Sequence, residues 1–274
     1  MEIEYRRLNL LIPACYGLAF FLGAESGGFQ LALLRIGEDF SLGPAMMGVL
    51  VAAQFAAITI APLVSGRIAD RIGKKPVLLF SMPLFSLGCF LTALSPSAPF
   101  FIAAIFITGA GYSISECIGS SALSDSFPGK ESKYLNMMQC TFSLGAVVSP
   151  LFFRWLFSFG NFSWSSVFII AGCGYVLLYP LMLLAGCRKI VLATNEKAIR
   201  NVGKKKNPGF VFKSRFFIIL LFCMLAYVAI ETEAAFFADS LFVWEYGNAA
   251  LGAYAISGFW LAMTISRFVF HGSK

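Results

Sequence analysis

Long apolar runs alternate with short polar breaks along the whole chain, and the spacing of those breaks predicts its architecture. Eight apolar segments stand out, near 8–34, 44–65, 76–95, 99–124, 134–157, 165–187, 215–241 and 247–270. Each reaches the roughly 20 residues a helix needs to cross about 30 Å of hydrocarbon. In lipid no water satisfies backbone N–H and C=O groups, so such segments must be helical. The weak two-residue alternation of a membrane barrel is absent. Pro13, Pro62, Pro83, Pro150 and Pro180 fall inside the runs; they would break a soluble helix, but in membrane helices they permit kinks and close approach. The expectation is an all-α membrane protein of eight transmembrane helices.

The breaks at 95–99 and 158–164 are short, so neighbouring helices pack antiparallel. The one long break, Arg188 to Arg215, is rich in lysine and centred on KKKNPG at 204–209. It divides the chain into a six-helix N-terminal bundle (1–187), a basic cytoplasmic linker (188–214) and two helices of a second bundle (215–274). The linker reads as a solvated tether that also touches anionic headgroups, at about 1 kcal/mol per basic residue near the surface.

Composition agrees with a lipid solvent: 58% of residues are hydrophobic, 13% are charged and the mean hydropathy is +0.79. With the N-terminus inside, 19 of the 21 Lys and Arg fall on cytoplasmic segments, leaving only Arg35 and Arg154 outside. That asymmetry satisfies the positive-inside rule. The net charge of +7 is therefore a topology signal and does not point to nucleic acid. The opening Met-Glu-Ile-Glu lacks a basic n-region and a small-residue cleavage site, so the first helix reads as a retained signal-anchor. Seven cysteines lie in or at the ends of membrane helices and one histidine, His271, is present; neither a disulfide framework nor a metal site is indicated, and no cofactor. No Ser/His/Asp set or phosphate-binding loop appears, so an enzyme is not expected.

Between the second and third runs stands GRIADRIGKK, Gly66 to Lys75. Its Gly66, Arg67, Asp70, Arg71, Gly73, Lys74 and Lys75, following two helices and preceding a basic central loop, resemble the signature loop of the major facilitator superfamily. GAGYSISECIGSSALSDSFP, LNMMQCTFSLGAVVSP, YVAIETE and SGFWLAMTISR are further similar to its fucose permease-like sugar:proton symporters, although Ser120 stands where that subfamily usually has Asn and Ser266 where the second loop motif has Gly. The resemblance implies alternating access between two six-helix bundles, with the motif loop at the cytoplasmic seam. It implies that Asp70 faces the N-terminal end of a late helix, that Arg71 pairs with Asp125, and that Gly66 and Gly73 let the backbone turn tightly. A full transporter of this type has twelve helices. Arg267 and Gly272 echo Arg67 and Gly73 and the sequence then stops, so the chain is expected to be truncated or split, or completed by a second polypeptide supplying helices 9–12. The expected location is a bacterial inner membrane, with both termini cytoplasmic.

Ionisable residues inside the apolar runs are the remaining signal, since a charge at the bilayer centre costs at least about 2.5–3.5 kcal/mol and usually borders a wet passage. Glu25, Glu116, Glu231 and Glu233 meet that description. The resemblance implies that Glu25 and Glu116 take up the coupling proton; burial disfavours the charged form of a carboxyl, which reversible protonation requires. Glu231 and Glu233 lie about 200° apart around a helix, so one cavity can receive only one of them, and Glu231 is preferred. Gln54, Asn136, Gln139 and Trp260 are the candidates for reading a substrate, although helix–helix hydrogen bonding or packing accounts for Gln139 and Trp260 as well. Trp155, Trp164 and Trp244 read as an interfacial aromatic belt. Together these features predict proton symport of a small polar solute, a sugar as the resemblance implies, within a lipid bilayer. The alternatives are a drug or metabolite:proton antiporter, which GAVVSPLFF (145–153) supports through its proline but not its missing glycines, and a non-transporting membrane protein.

Overall fold

The computed structural model describes residues 2–186 and 215–271. The expected linker at 188–214 lies outside them, as does Gly272. Eight helices are described: α1 (Glu2–Asp39), α2 (Pro44–Ile72), α3 (Lys74–Ala93), α4 (Ala98–Ser126), α5 (Glu131–Ser158), α6 (Ser165–Leu184), α7 (Arg215–Tyr246) and α8 (Ala249–His271). The first seven are long and apolar enough to cross a membrane, and α8 carries the shorter apolar stretch Ala250–Ser266. Exposed aliphatic and aromatic side chains such as Leu63, Phe80 and Leu177 dress the outside, as lipid requires. This is an integral, multi-pass membrane protein.

Several helices run further than the apolar segments that announced them, because helix continues into the polar ends. The largest correction concerns GRIADRIGKK. It is not an open loop: Gly66 to Ile72 are the last two turns of α2, Gly73 alone separates the helices, and Lys74 starts α3. Gly73 has φ +96° and serves as C-cap of one helix and N-cap of the next, a conformation that favours residues without Cβ. Gly66 sits in regular helix with open space beside it and takes no part in the turn.

Within 1–186, α1 packs along α5 and α6, α4 lies between α2 and α3, and α3 also contacts α6. The closest approach is between α1 and α5. A Cβ added to Gly23 would lie 1.9 Å from the Phe142 carbonyl oxygen, and one added to Gly145 would lie 2.1 Å from that of Phe20. Small residues permit this backbone contact, the usual device of membrane helix pairs. Helix α8 packs on α5 and α7 packs on α8.

An aromatic cluster closes the end of the bundle away from Lys74. Phe29 meets Phe101, Phe168 and Phe236 with ring centroids 6.2, 5.7 and 5.4 Å apart. Trp164 belongs to it. Expected in the interfacial belt, Trp164 is instead buried, its indole N–H donates to Asp39 Oδ2 at 2.5 Å and its ring lies against Phe40 and Phe101. Trp155 and Trp244 are exposed.

Candidate functional site

Four helices bring polar side chains into the interior of the first bundle. Glu25, on α1, is fully buried and accepts a hydrogen bond from Gln54 Nε2, on α2, at 2.9 Å. Its second oxygen, Oε2, is buried with no hydrogen-bond partner. Glu116, on α4, is half-buried and accepts from Gln139 Nε2, on α5, at 3.4 Å. Tyr112, one turn before Glu116 on α4, is buried and meets Phe85 and Phe142 with ring centroids 6.4 and 6.5 Å apart. The two expected proton carriers and two of the expected substrate readers thus form two carboxylate–carboxamide pairs, each spanning two helices. An ionised carboxylate with an unsatisfied buried oxygen is expensive, whereas the neutral acid carries an O–H that can donate. The arrangement therefore suits a group that binds and releases a proton.

The other expected readers are placed differently. Asn136 is exposed and donates to Ser132 at 3.5 Å. Trp260 is buried; its indole N–H donates to Gln30 Oε1 at 3.0 Å, and its ring meets Phe142 edge-on at 5.7 Å. It fastens α8 to α1 and α5 and presents no open stacking face. Glu231 is half-buried and lines a groove of about 230 Å³ between α7 and α8, with Tyr227, Ile230, Ala234, Phe259 and Met263. Glu233 is exposed. The structure gathers Glu25, Gln54, Glu116 and Gln139 in the first bundle and leaves Asn136, Glu231 and Trp260 apart from them.

The basic motif acts on its own bundle. Lys74 forms the ion pair with Asp125 that was expected of Arg71, and its ammonium also donates to Ser121 Oγ and, at 3.1 Å, to Ser121 O. The reason is reach. Arg71, on the last turn of α2, points to solvent, whereas Lys74 opens α3 beside the end of α4. Lys75 donates to Leu183 O at 2.9 Å and to Ala185 O, covering carbonyls at the C-terminus of α6, where a cation also suits the helix dipole. Arg67 and Asp70 are exposed, and neither forms an ion pair with a described residue.

Sequence reasoning missed Gln30 and Asp239. Both are polar residues within apolar runs, the signal that singled out Glu25, but Gln30 is uncharged and Asp239 stands near the end of its run. Asp239, on α7, is buried and packs against Gly252 of α8.

Comparison with known proteins gives a consistent picture. The family model of the Major Facilitator Superfamily matches residues 15–272. The 3-(3-hydroxy-phenyl)propionate transporter of Escherichia coli (strain K12) is 28% identical over 65% of this chain and 43% of its own length. The 4-hydroxybenzoate transporter PcaK of Acinetobacter baylyi is 25% identical over 73% of this chain and 44% of its own. The matched stretches thus cover less than half the length of these curated relatives. Among solved structures, the E. coli fucose:proton symporter superposes with a TM-score of 0.61 at 17% identity, covering 95% of this chain and 70% of that one. A peptide transporter complexed with sulfate gives 0.67 at 16%, covering 95% and 67%.

Proposed function

Because the chain belongs to the Major Facilitator Superfamily, we propose that it serves proton-coupled symport of a small polar organic solute by alternating access, with Glu25 and Glu116 carrying the coupling proton. The observation that carries this reading is the pair of carboxylates held by glutamines within the first bundle, fully buried Glu25 with Gln54 and half-buried Glu116 with Gln139. Protonation removes a charge that the low-dielectric interior tolerates poorly. It frees each carboxyl to change partner as the helices move. The basic end, with Lys74 and Lys75, is assigned to the cytoplasm, since cationic residues concentrate there.

The solute expected from the sequence is a sugar, on the resemblance in α4, α5, α7 and α8. The curated relatives are named for aromatic acids or for multidrug resistance and not for a sugar, and the sugar symporters among the solved structures share too little sequence to speak to substrate.

Reconstitution into proteoliposomes tests the proposal. Glu116→Gln and Glu25→Gln are each expected to abolish accumulation driven by an imposed proton gradient while sparing counterflow of the same solute. Uphill uptake that survives both substitutions would count against the assignment.

A further inference from the structure

Two guanidinium groups share one cleft at the end of the bundle opposite Lys74. Arg35 stands one turn before the end of α1 and Arg154 one turn before the end of α5. Both line an open cleft of about 610 Å³ with Leu151, Trp155, Phe157 and Tyr254. That volume falls within the roughly 300–1,000 Å³ of small-molecule sites. These are also the two basic residues that depart from the concentration of positive charge at the other end, so their meeting in one place calls for a local reason.

Neither guanidinium lies within 4.0 Å of a described carboxylate oxygen. Arg35 donates to Leu31 O at 3.4 Å and stacks with its Cζ 4.6 Å from the centroid of the Phe157 ring, which fixes its plane. Half-buried Arg154 donates to no described residue. Asp239, on α7, is buried and forms no ion pair with either arginine. Exposed Glu38, on the next turn of α1, is screened by water. A guanidinium that has surrendered part of its hydration is best satisfied by an acceptor of matching fork geometry, and a carboxylate supplies one. Trp155 and Tyr254 are both more than half exposed and provide aromatic walls beside that charge, at 57% and 60% exposure.

We propose that this cleft binds a small aromatic carboxylate, its carboxylate received by Arg35 and Arg154 and its ring lying against Trp155 and Tyr254. As an entry site for solute the inference rests on the transport reading above, but binding is measured without transport, so the two fail separately. A lipid phosphate offers the same anionic chemistry, and the test separates it from a solute.

The chain in phosphatidylcholine nanodiscs is titrated with radiolabelled benzoate. Saturable binding is expected, undisplaced by the neutral isostere benzyl alcohol. Arg154→Gln should weaken it by roughly ten- to hundredfold, the range for losing a hydrogen bond to a charged group, while Arg154→Lys, which keeps the charge without the fork, restores only part of it. All variants are compared at matched thermal stability, and Arg35→Gln provides the second, independent probe. The proposal is overturned if no saturable binding is seen, if both Gln variants bind as the parent does, if benzyl alcohol competes equally, or if phosphatidylglycerol in the disc displaces benzoate and so assigns the cleft to lipid.

Discussion

At the residue scale, charge and hydrogen-bonding capacity decide what each buried polar group can do. The Trp260–Gln30 hydrogen bond joins α8 to α1 across the seam between the first six helices and the last two. Replacing Gln30 with Leu orphans the indole N–H, and replacing Trp260 with Phe orphans the amide. Each single change is expected to destabilise by about 1–3 kcal/mol, the cost of leaving a buried polar group unpaired, while the double variant costs less than the sum. Thermal unfolding of the two single variants and the double variant in detergent measures the coupling. Lys74 and Asp125 present a similar pair with a different setting, since both side chains are about a quarter exposed, at 23% and 26%. Solvent screening holds the contribution of such a pair to about 1 kcal/mol or less. Asp125→Asn should therefore shift the melting temperature only slightly, whereas Lys74→Met, which also removes the bonds to Ser121, should shift it more.

At the scale of elements, the α1–α5 contact is the tightest in the fold. Gly23 and Gly145 bring backbone against backbone, so the neighbouring atoms cannot rotate away as a flexible side chain would. Gly145→Val is expected to push the two helices apart and to cost at least about 1–3 kcal/mol, as overpacking does. Gly66→Ala, in open helix surface, should be neutral or slightly stabilising through helix propensity. Yield and melting temperature of the folded protein in detergent compare the two, and equal losses would refute the packing argument. The same contact positions the site: α1 carries Glu25, and α5 carries Gln139.

At the scale of the whole molecule, the contacts across the seam are uneven. Toward the end away from Lys74, Phe236 of α7 meets Phe29 and Phe55, and Ser257 of α8 donates to Val147 O at 2.9 Å. Toward the basic end, α7 is exposed along almost all of 215–230. An alternating-access cycle requires the closed end to part while the other closes. On the transport reading proposed above, cysteines introduced together as Val147→Cys and Ser257→Cys, whose positions meet across this seam, are expected to cross-link on oxidation and to halt uptake until reduced. Uptake that continues undiminished in the oxidised, fully cross-linked protein would exclude this seam as a moving part.

Hydropathy alone predicted the helix count and the membrane class and marked Glu25, Glu116, Glu231 and Glu233 as carboxyls within apolar runs, because lipid leaves the backbone no choice but helix and makes a mid-run charge conspicuous; the choice of Glu25 and Glu116 among them came from the family resemblance. The motif at 66–75 was equally legible as a family mark. Its pairing was not: which cation reaches Asp125 depends on where α2 ends and how α3 lies against α4, and Lys74 wins by place over Arg71. The fate of Trp164 and Trp260, both drawn inward, was likewise undecidable from a linear pattern that gives an indole the same signature at an interface, in a core or beside a ligand. Only the packed helices decide which of these surroundings each ring meets, because side-chain environment is set by contacts between segments far apart in the chain. The joining of Arg35 with Arg154, on helices that run side by side but lie more than a hundred residues apart in sequence, is the clearest product of that tertiary level.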